Sequence, residues 1–240
     1  MSHKVVDDLL EQYIQGIRAF KGINLRERDL LNVQLPEVNL SRADLRQSRL
    51  GKTNFSQSNF VEADLSEAIL WGTNLTKADL SHATLREADL SGAILTDAQF
   101  VEANLVKASF SGSNLSGARL DRALLIEADL RSSSDQPTNL SYASLRGTNL
   151  SYAHLGGALF YRANLEGAKL CRAVLILRSS QSPGATDLTE ANLQGADLSY
   201  ANLSGVILHR ANLRGADLSG AILNQADLKG ATLPDGSIHE

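Results

Sequence analysis

The sequence predicts an all-β solenoid in which the chain coils around its own leucines, and two observations carry that prediction. Leucine or phenylalanine stands at every fifth residue from Leu25 to Leu175, with Asp135 the one exception, and again from Leu188 to Leu233. The residue two before each centre is small: from Leu45 onward 27 of 36 are alanine, and the rest are Ser48, Thr53, Ser58, Thr73, Ser113, Thr138, Thr148, Thr186 and Val206. A narrow, close-packed interior accepts one large and one small side chain per repeat, which accounts for the alternation of sizes.

Neither regular element holds a five-residue interval on one face. On a helix each step of five advances about 140° beyond a full turn, so the leucines would spread around the whole circumference. On a straight strand an odd interval sends successive leucines to opposite sides. A short extended segment with a bend in every repeat keeps both the small and the large residue pointing inward. The residue just before the centre is often Asp or Asn, whose side chains hydrogen-bond nearby backbone and favour bends.

Taken in order, residues 3–20 (HKVVDDLLEQYIQGIRAF) are the one part with a helical period. Val6, Leu9, Leu10, Tyr13, Ile14 and Ile17 form an apolar stripe, expected to cap the open end of the coil as repeat arrays require. From Leu25 to Leu40 the centres are in place, but Ile23, Arg28, Val33 and Val38 replace the small residue, so an imperfect first coil is expected. Regular coiling follows from Ala43 to Leu130. Residues 131–138 (RSSSDQPT) then interrupt it. Asp135 would fall at a centre, where burial among leucines carries a large desolvation cost, so this stretch should bulge out as a loop. Residues 176–187 (ILRSSQSPGATD) separate Leu175 from Leu188 and should leave the wall as a second loop. The last repeats are the most regular, and PDGSIHE should turn away at Pro234 and Asp235-Gly236, with Ile238 folding back over the end as a second cap. The expected organisation is an N-terminal helical cap over 1–22, a solenoid over 23–233 and a tail over 234–240.

The pentapeptides ADLSE, ANLVK, ADLSG and ANLRG resemble those of the pentapeptide-repeat proteins. The resemblance implies a right-handed quadrilateral β-helix with four repeats, twenty residues, per coil. Ten such coils at the inter-strand spacing would make a rod on the order of 45–50 Å long. In that frame Phe60, Phe100 and Phe160 share one wall. The segments READL, SEAILWG, GAKLCRA, LQGADLSYANL and PDGSIH go beyond the generic repeat and resemble the family's cyanobacterial regulators of heterocyst differentiation. That likeness implies a cytoplasmic protein that binds the transcription factor HetR and counters a PatS-type inhibitory peptide. It names no contact residues. The family also contains DNA mimics that bind type II topoisomerases, and a scaffold without a specific partner is a third reading.

Composition narrows these. Twenty-seven acids against 23 bases give a net charge of −4, which argues against a nucleic-acid binder. A single cysteine, Cys171, forms no internal disulfide, and no apolar run is long enough for a membrane span, so a reducing cytoplasm is the expected location. His3, His82, His154, His209 and His239 are scattered without metal-ligand spacing, and glycines sit at repeat bends rather than in a phosphate loop. No catalytic, cofactor-binding or metal residue is assigned. Candidate contacts for a protein partner lie outside. Glu27, Glu67, Glu87 and Glu127 share a column, with Asp29, Asp89 and Asp129 two residues along and Arg46, Arg86 and Arg146 one before; this is either a ladder of exposed ion pairs or a charged docking strip. Trp71 and Ile69 should form an exposed apolar pair, a residue combination found at interface hot spots. The two loops, marked by Asp135 and Arg178, complete the set, since extra length on a solenoid often lies on its binding face.

Overall fold

Every backbone donor in one repeat finds a partner, and the repeat beginning at Leu65 shows how. Ala68 donates its N–H to the Leu65 carbonyl at 3.0 Å, closing a four-residue turn over Ser66 and Glu67. Leu65 and Glu67 donate forward to Thr84 and Arg86 of the next coil at 2.7 and 2.8 Å, and Ile69 donates back to Ser48 at 2.9 Å. The remaining donor, Ser66 N–H, goes to the Asp64 carboxylate at 3.0 Å. The turn puts its second central residue in the left-handed region, from Glu27 (φ 58°) to Gln225 (φ 59°), wherever glycine does not occupy it. That conformation costs a non-glycine residue about 1–2 kcal/mol. Three inter-coil bonds, each worth about 0.5–1.5 kcal/mol net, outweigh it.

This computed structural model describes residues 4–176 and 184–240. Four parallel ladders run along the rod, each stepping twenty residues between coils except at the two interruptions. The first wall starts Ala19–Asn39, the second Asn24–Asp44, the third Asp29–Arg49 and the fourth Gln34–Asn54, together a right-handed quadrilateral β-helix. Pairing thus begins at Ala19, inside the stretch expected to be cap, and Phe20 is buried as an additional centre. Inside, centres such as Leu65, Leu85 and Leu105 and their small partners Ala63, Ala83 and Ala103 are at most 1% exposed. Phe55 and Phe60 meet edge to face at 5.2 Å, as do Phe100 and Phe110 at 6.3 Å.

The first interruption rotates everything after it. Asn114 pairs with Asn139, twenty-five residues on, because one whole repeat around Asp135 is extruded between the third and fourth walls. The expected alignment of phenylalanines therefore fails at its last member: Phe60 and Phe100 follow the first wall, whereas Phe160 follows the fourth, the wall of Phe55. Arg146 likewise moves from the second–third edge to the first–second edge.

Helix α1 (Lys4–Ile14) closes the N-terminal end with Leu9 buried and Val6, Leu10 and Tyr13 packed against the core. Ile14, the last residue of α1, and Ile17 beyond it belong to the sequence stripe but are exposed. Gly16, at φ 94°, donates to Tyr13 while Ile17 donates to Gln12, a Schellman termination that turns the chain into the first coil. Tyr13 then anchors the helix through its hydroxyl, which donates to the Pro36 carbonyl at 3.0 Å. The first coil keeps the ordinary backbone despite its larger inner residues; Ile23 and Val33 pack against the core. At the other end Thr232 pairs antiparallel with Ile238, so the chain folds back as expected. Ile238 nevertheless stays 71% exposed and caps nothing, and Leu218, Leu223 and Leu228 remain only partly buried.

Leu75→Ala should lower unfolding free energy in urea by about 2–5 kcal/mol, the range for emptying a packed aliphatic site. Asn74→Ala, which removes the acceptor of the Thr76 N–H at 3.0 Å, should cost about 0.5–1.5 kcal/mol. Equal effects from the two would contradict this division of labour between core and turn.

Candidate protein-interaction surface

Both interruptions leave the coil at one edge, and the same residue type closes each. The chain departs after third-wall Leu130 and Leu175 and resumes on the fourth wall at Asn139 and Asp187. Thr138 and Thr186 occupy the small inner position at re-entry. The Thr138 hydroxyl lies 2.7 Å from the Arg131 carbonyl at the loop's exit and accepts the Gly112 N–H at 2.9 Å. Thr186 does the same with the Leu175 carbonyl at 2.6 Å and the Gly157 N–H at 2.9 Å. The hydroxyl ties exit, re-entry and the preceding coil together, and alanine cannot. In the first loop Ser133 folds over Gly112 so closely that a Cβ there would lie 2.6 Å from its Oγ. Asp135 is exposed at the tip. Arg178 lies outside the described residues.

Trp71 stands on this same third–fourth edge, a coincidence the sequence reading missed although residues 71 and 131 are three twenty-residue coils apart. Between them the edge carries Ser91-Gly92 and Ser111-Gly112, with no bulky side chain. Beyond the first loop, Arg131, His154, Val174 and Ile176 line a hollow of about 80 Å³. From Trp71 to Ile176 is five coils, roughly 24 Å at the inter-strand spacing. A standard protein interface covers about 800 Å² per partner, so that length suits one.

Trp71 is 40% exposed and lies flat over Gly51, whose hypothetical Cβ would be 2.7 Å from the indole Nε1; Lys52 Nζ is 4.7 Å from the ring centroid. Gly51, one coil back in the twenty-residue frame, thus seats one side of the ring through its lack of a side chain and leaves the other open. Ile69, 38% exposed on the third wall, offers no oxygen to the N–H two residues on, as Asp64 and Asn74 do in neighbouring repeats, so it cannot close the turn at Trp71 in that way; Ile94, Leu124 and Ile222 share that lack. The pair departs from the structural rule and leaves apolar surface outside.

The charged candidates line the neighbouring second–third edge, so Glu67, Glu87, Glu127, Arg46 and Arg86 flank the third wall on one side while Trp71 and the loops flank it on the other. Pairing among them is thinner than a ladder. Arg46 grips Asp44 through Nε and Nη2 at 2.8 and 2.6 Å, and this hydrogen-bonded pairing holds the Asp44 carboxyl below the usual carboxylate range. Glu67 accepts from Gln47 at 3.0 Å, and Lys107 lies 3.8 Å from Glu127. Burial pushes Asp129 up, but the Arg131 fork, at 2.9 and 2.6 Å, more than reverses it and leaves Asp129 lowered. The alternating ladder is on the first–second edge instead. There Arg42 pairs with Glu62 at 2.5 Å, His82 with Glu102 at 3.5 Å and Arg122 with Glu102 at 2.8 Å. These pairs are exposed and screened by solvent, so they contribute little to stability. Among the described residues no group of three or more His, Cys, Asp or Glu could hold a metal ion, and no helix is long and apolar enough to cross a membrane.

Comparison with known proteins adds the following. The family model for pentapeptide repeats matches residues 20–57, 58–97, 93–131, 138–175, 186–225 and 211–235. The chain is similar to the crystal structure of HetL, a pentapeptide repeat protein involved in heterocyst differentiation regulation from the cyanobacterium Nostoc sp. strain PCC 7120. Identity is 58% and TM-score 0.94, over 96% of this chain and 98% of that one. A pentapeptide repeat protein from the Arabidopsis thaliana thylakoid lumen aligns at 31% identity and TM-score 0.39, over 45% of this chain and 71% of its own. QnrB1, a plasmid-mediated fluoroquinolone resistance protein, aligns at 22% and 0.33, over 88% and 94%. At those TM-scores neither carries an argument about function. No curated protein matches the chain.

Gly51→Ala should displace the only tryptophan and red-shift its emission while leaving the β-sheet circular dichroism unchanged. Thr186→Val keeps the volume but leaves the buried Gly157 N–H without its acceptor, and should cost about 1–3 kcal/mol in urea unfolding.

Proposed function

Because the chain belongs to the pentapeptide-repeat family, we propose that it is a non-enzymatic interaction protein regulating heterocyst differentiation, acting in the cytoplasm by binding the transcription factor HetR and countering a PatS-type peptide. The observation that carries this reading is the likeness to HetL over nearly the full length of both chains. The docking surface in this reading is the third wall with its two edges. Ile69 and Trp71 are the apolar anchor, Arg46, Arg86, Glu67, Glu87 and Glu127 the charged flank, and the loops with Asp135 and Arg178 the far end. A rod with a rigid interior suits the task, since its backbone needs no ordering on binding.

The alternative of DNA mimicry asks for a surface dominated by negative charge at phosphate-like spacing. The outer ladder does not supply it, because it interleaves Arg42 and Arg122 with its glutamates.

Two substitutions separate docking from folding. Ile69→Asn restores the turn acceptor used throughout the coil, and Trp71→Ser installs the residue found one coil later at Ser91. Both should leave thermal stability unchanged or higher, and each should weaken HetR binding, measured by calorimetry, by about tenfold or more, the loss of a hot-spot side chain. Wild-type affinity in both variants and in a chain with residues 132–136 shortened would remove the nominated surface; binding to DNA gyrase in place of HetR would overturn the reading.

A further inference from the structure

The second–third edge changes chemistry along its length. At the left-handed turn position it carries Glu27, Gln47, Glu67, Glu87, Lys107 and Glu127, and then, past the first interruption, Tyr152, Arg172, Tyr200 and Gly220. The guanidinium carbon of Arg172 lies 5.9 Å from the ring centroid of Tyr152 and 5.6 Å from that of Tyr200, in the coils on either side. Tyr200 is held from beyond as well: it lies over Gly220, where a Cβ would sit 2.7 Å from two of its ring carbons. Both tyrosines are open to solvent, at 48% and 62% exposure. GAKLCRA and LQGADLSYANL, which carry Arg172 and Tyr200, stand out from the generic repeat, yet the surface proposed above uses neither.

We propose that Arg172, clamped between Tyr152 and Tyr200, is a receptor for a carboxylate side chain of a protein partner. The two rings bracket the guanidinium from the coils on either side, and a guanidinium fork that pairs with no carboxylate of its own chain can match an incoming one through two parallel bonds. Arg162, which also lies over a tyrosine, bonds Glu190 at 2.7 Å, and Arg122 and Arg146 face Glu102 and Glu166; Arg86 and Arg214 likewise pair with no carboxylate among the described residues, but no aromatic ring lies beside them. Arg172 has no carboxylate within ion-pair distance among the described residues, and residues 1–3 and 177–183 contain neither Asp nor Glu. The rings restrict the rotamers of a long side chain that would otherwise lose entropy on pairing, which is the main reason exposed ion pairs are weak. A carboxylate suits the site better than a phosphate. One fork is present, its turn neighbours Ser151, Cys171 and Ser199 bring no further cation, and Asp197 on the adjoining coil disfavours a dianion. The site rests on the docking reading only in that its ligand belongs to a protein.

The test is an NMR titration of the full chain, following arginine Nε–Hε signals, with a blocked peptide of alternating glutamate and leucine. The Arg172 signal should shift, and R172Q and R172K should each weaken binding at least tenfold, because lysine keeps the charge but loses the fork and the stack. Tyr200→Leu should weaken it severalfold and Arg214→Gln should not change it. The glutamine version of the peptide should give no shift. Wild-type affinity in R172K, an equal response to inorganic phosphate, or no shift at Arg172 at millimolar peptide would each overturn the proposal. A chain that takes the peptide but not HetR would count against the docking reading alone.

Discussion

The structure depends on a turn that holds a side chain in the left-handed region every fifth residue. In isolation each such turn is unfavourable, and it persists because the coils above and below accept or supply three hydrogen bonds per repeat. No single coil could keep this geometry. The cooperative unit is therefore a stack, stabilised chiefly between neighbours, and the ends are where the arrangement needs help. Helix α1 supplies it at one end through Leu9 and Tyr13. At the other, the fold-back to Ile238 satisfies one side of the last coil and leaves its leucines partly open.

The same turn decides which residues are free to do something else. A repeat commits its centre and its small residue to the lumen, and the Asp or Asn before the centre to the turn that follows. That last commitment lapses at several sites, among them Ile69, Ile94, Leu124 and Ile222. Ile69 lacks the turn-closing oxygen and is followed by Trp71, and no core requirement explains either side chain. The carboxylates at Asp64 or Asp89, by contrast, look like surface charge alone in the sequence but also serve the backbone by closing the turn that follows.

Much of this was legible beforehand because a period of five is incompatible with both regular elements, and the two-size alternation identifies the inside. The inward residues and both interruptions could be read directly. The walls could not be read past residue 131. Periodicity counts residues along the chain, and it cannot tell a loop that returns to the same wall from one that omits a repeat; Phe160 and Arg146 were misplaced by that ambiguity. Pairing across the surface was also hidden. The charged edge was chosen from a column of glutamates, but partnership depends on which side chains reach across adjacent coils, and on the second–third edge Arg46 turns to Asp44 instead. The grouping of Trp71 with the first loop was available in the numbering and went unused. Its grouping with the second needed the register after Asn139.

The extruded repeat at Asp135 has one more consequence. Because a whole five-residue unit is set outside the wall, the lumen continues unbroken and the coil resumes on the fourth wall as if the unit were absent. A chain that kept such a unit in the wall, with a leucine in place of Asp135, would re-address every outward side chain beyond it by one face. Two chains with matching interiors could then offer a visitor different facades, and the first place to look for the difference would be the count of residues between one threonine and the edge it closes.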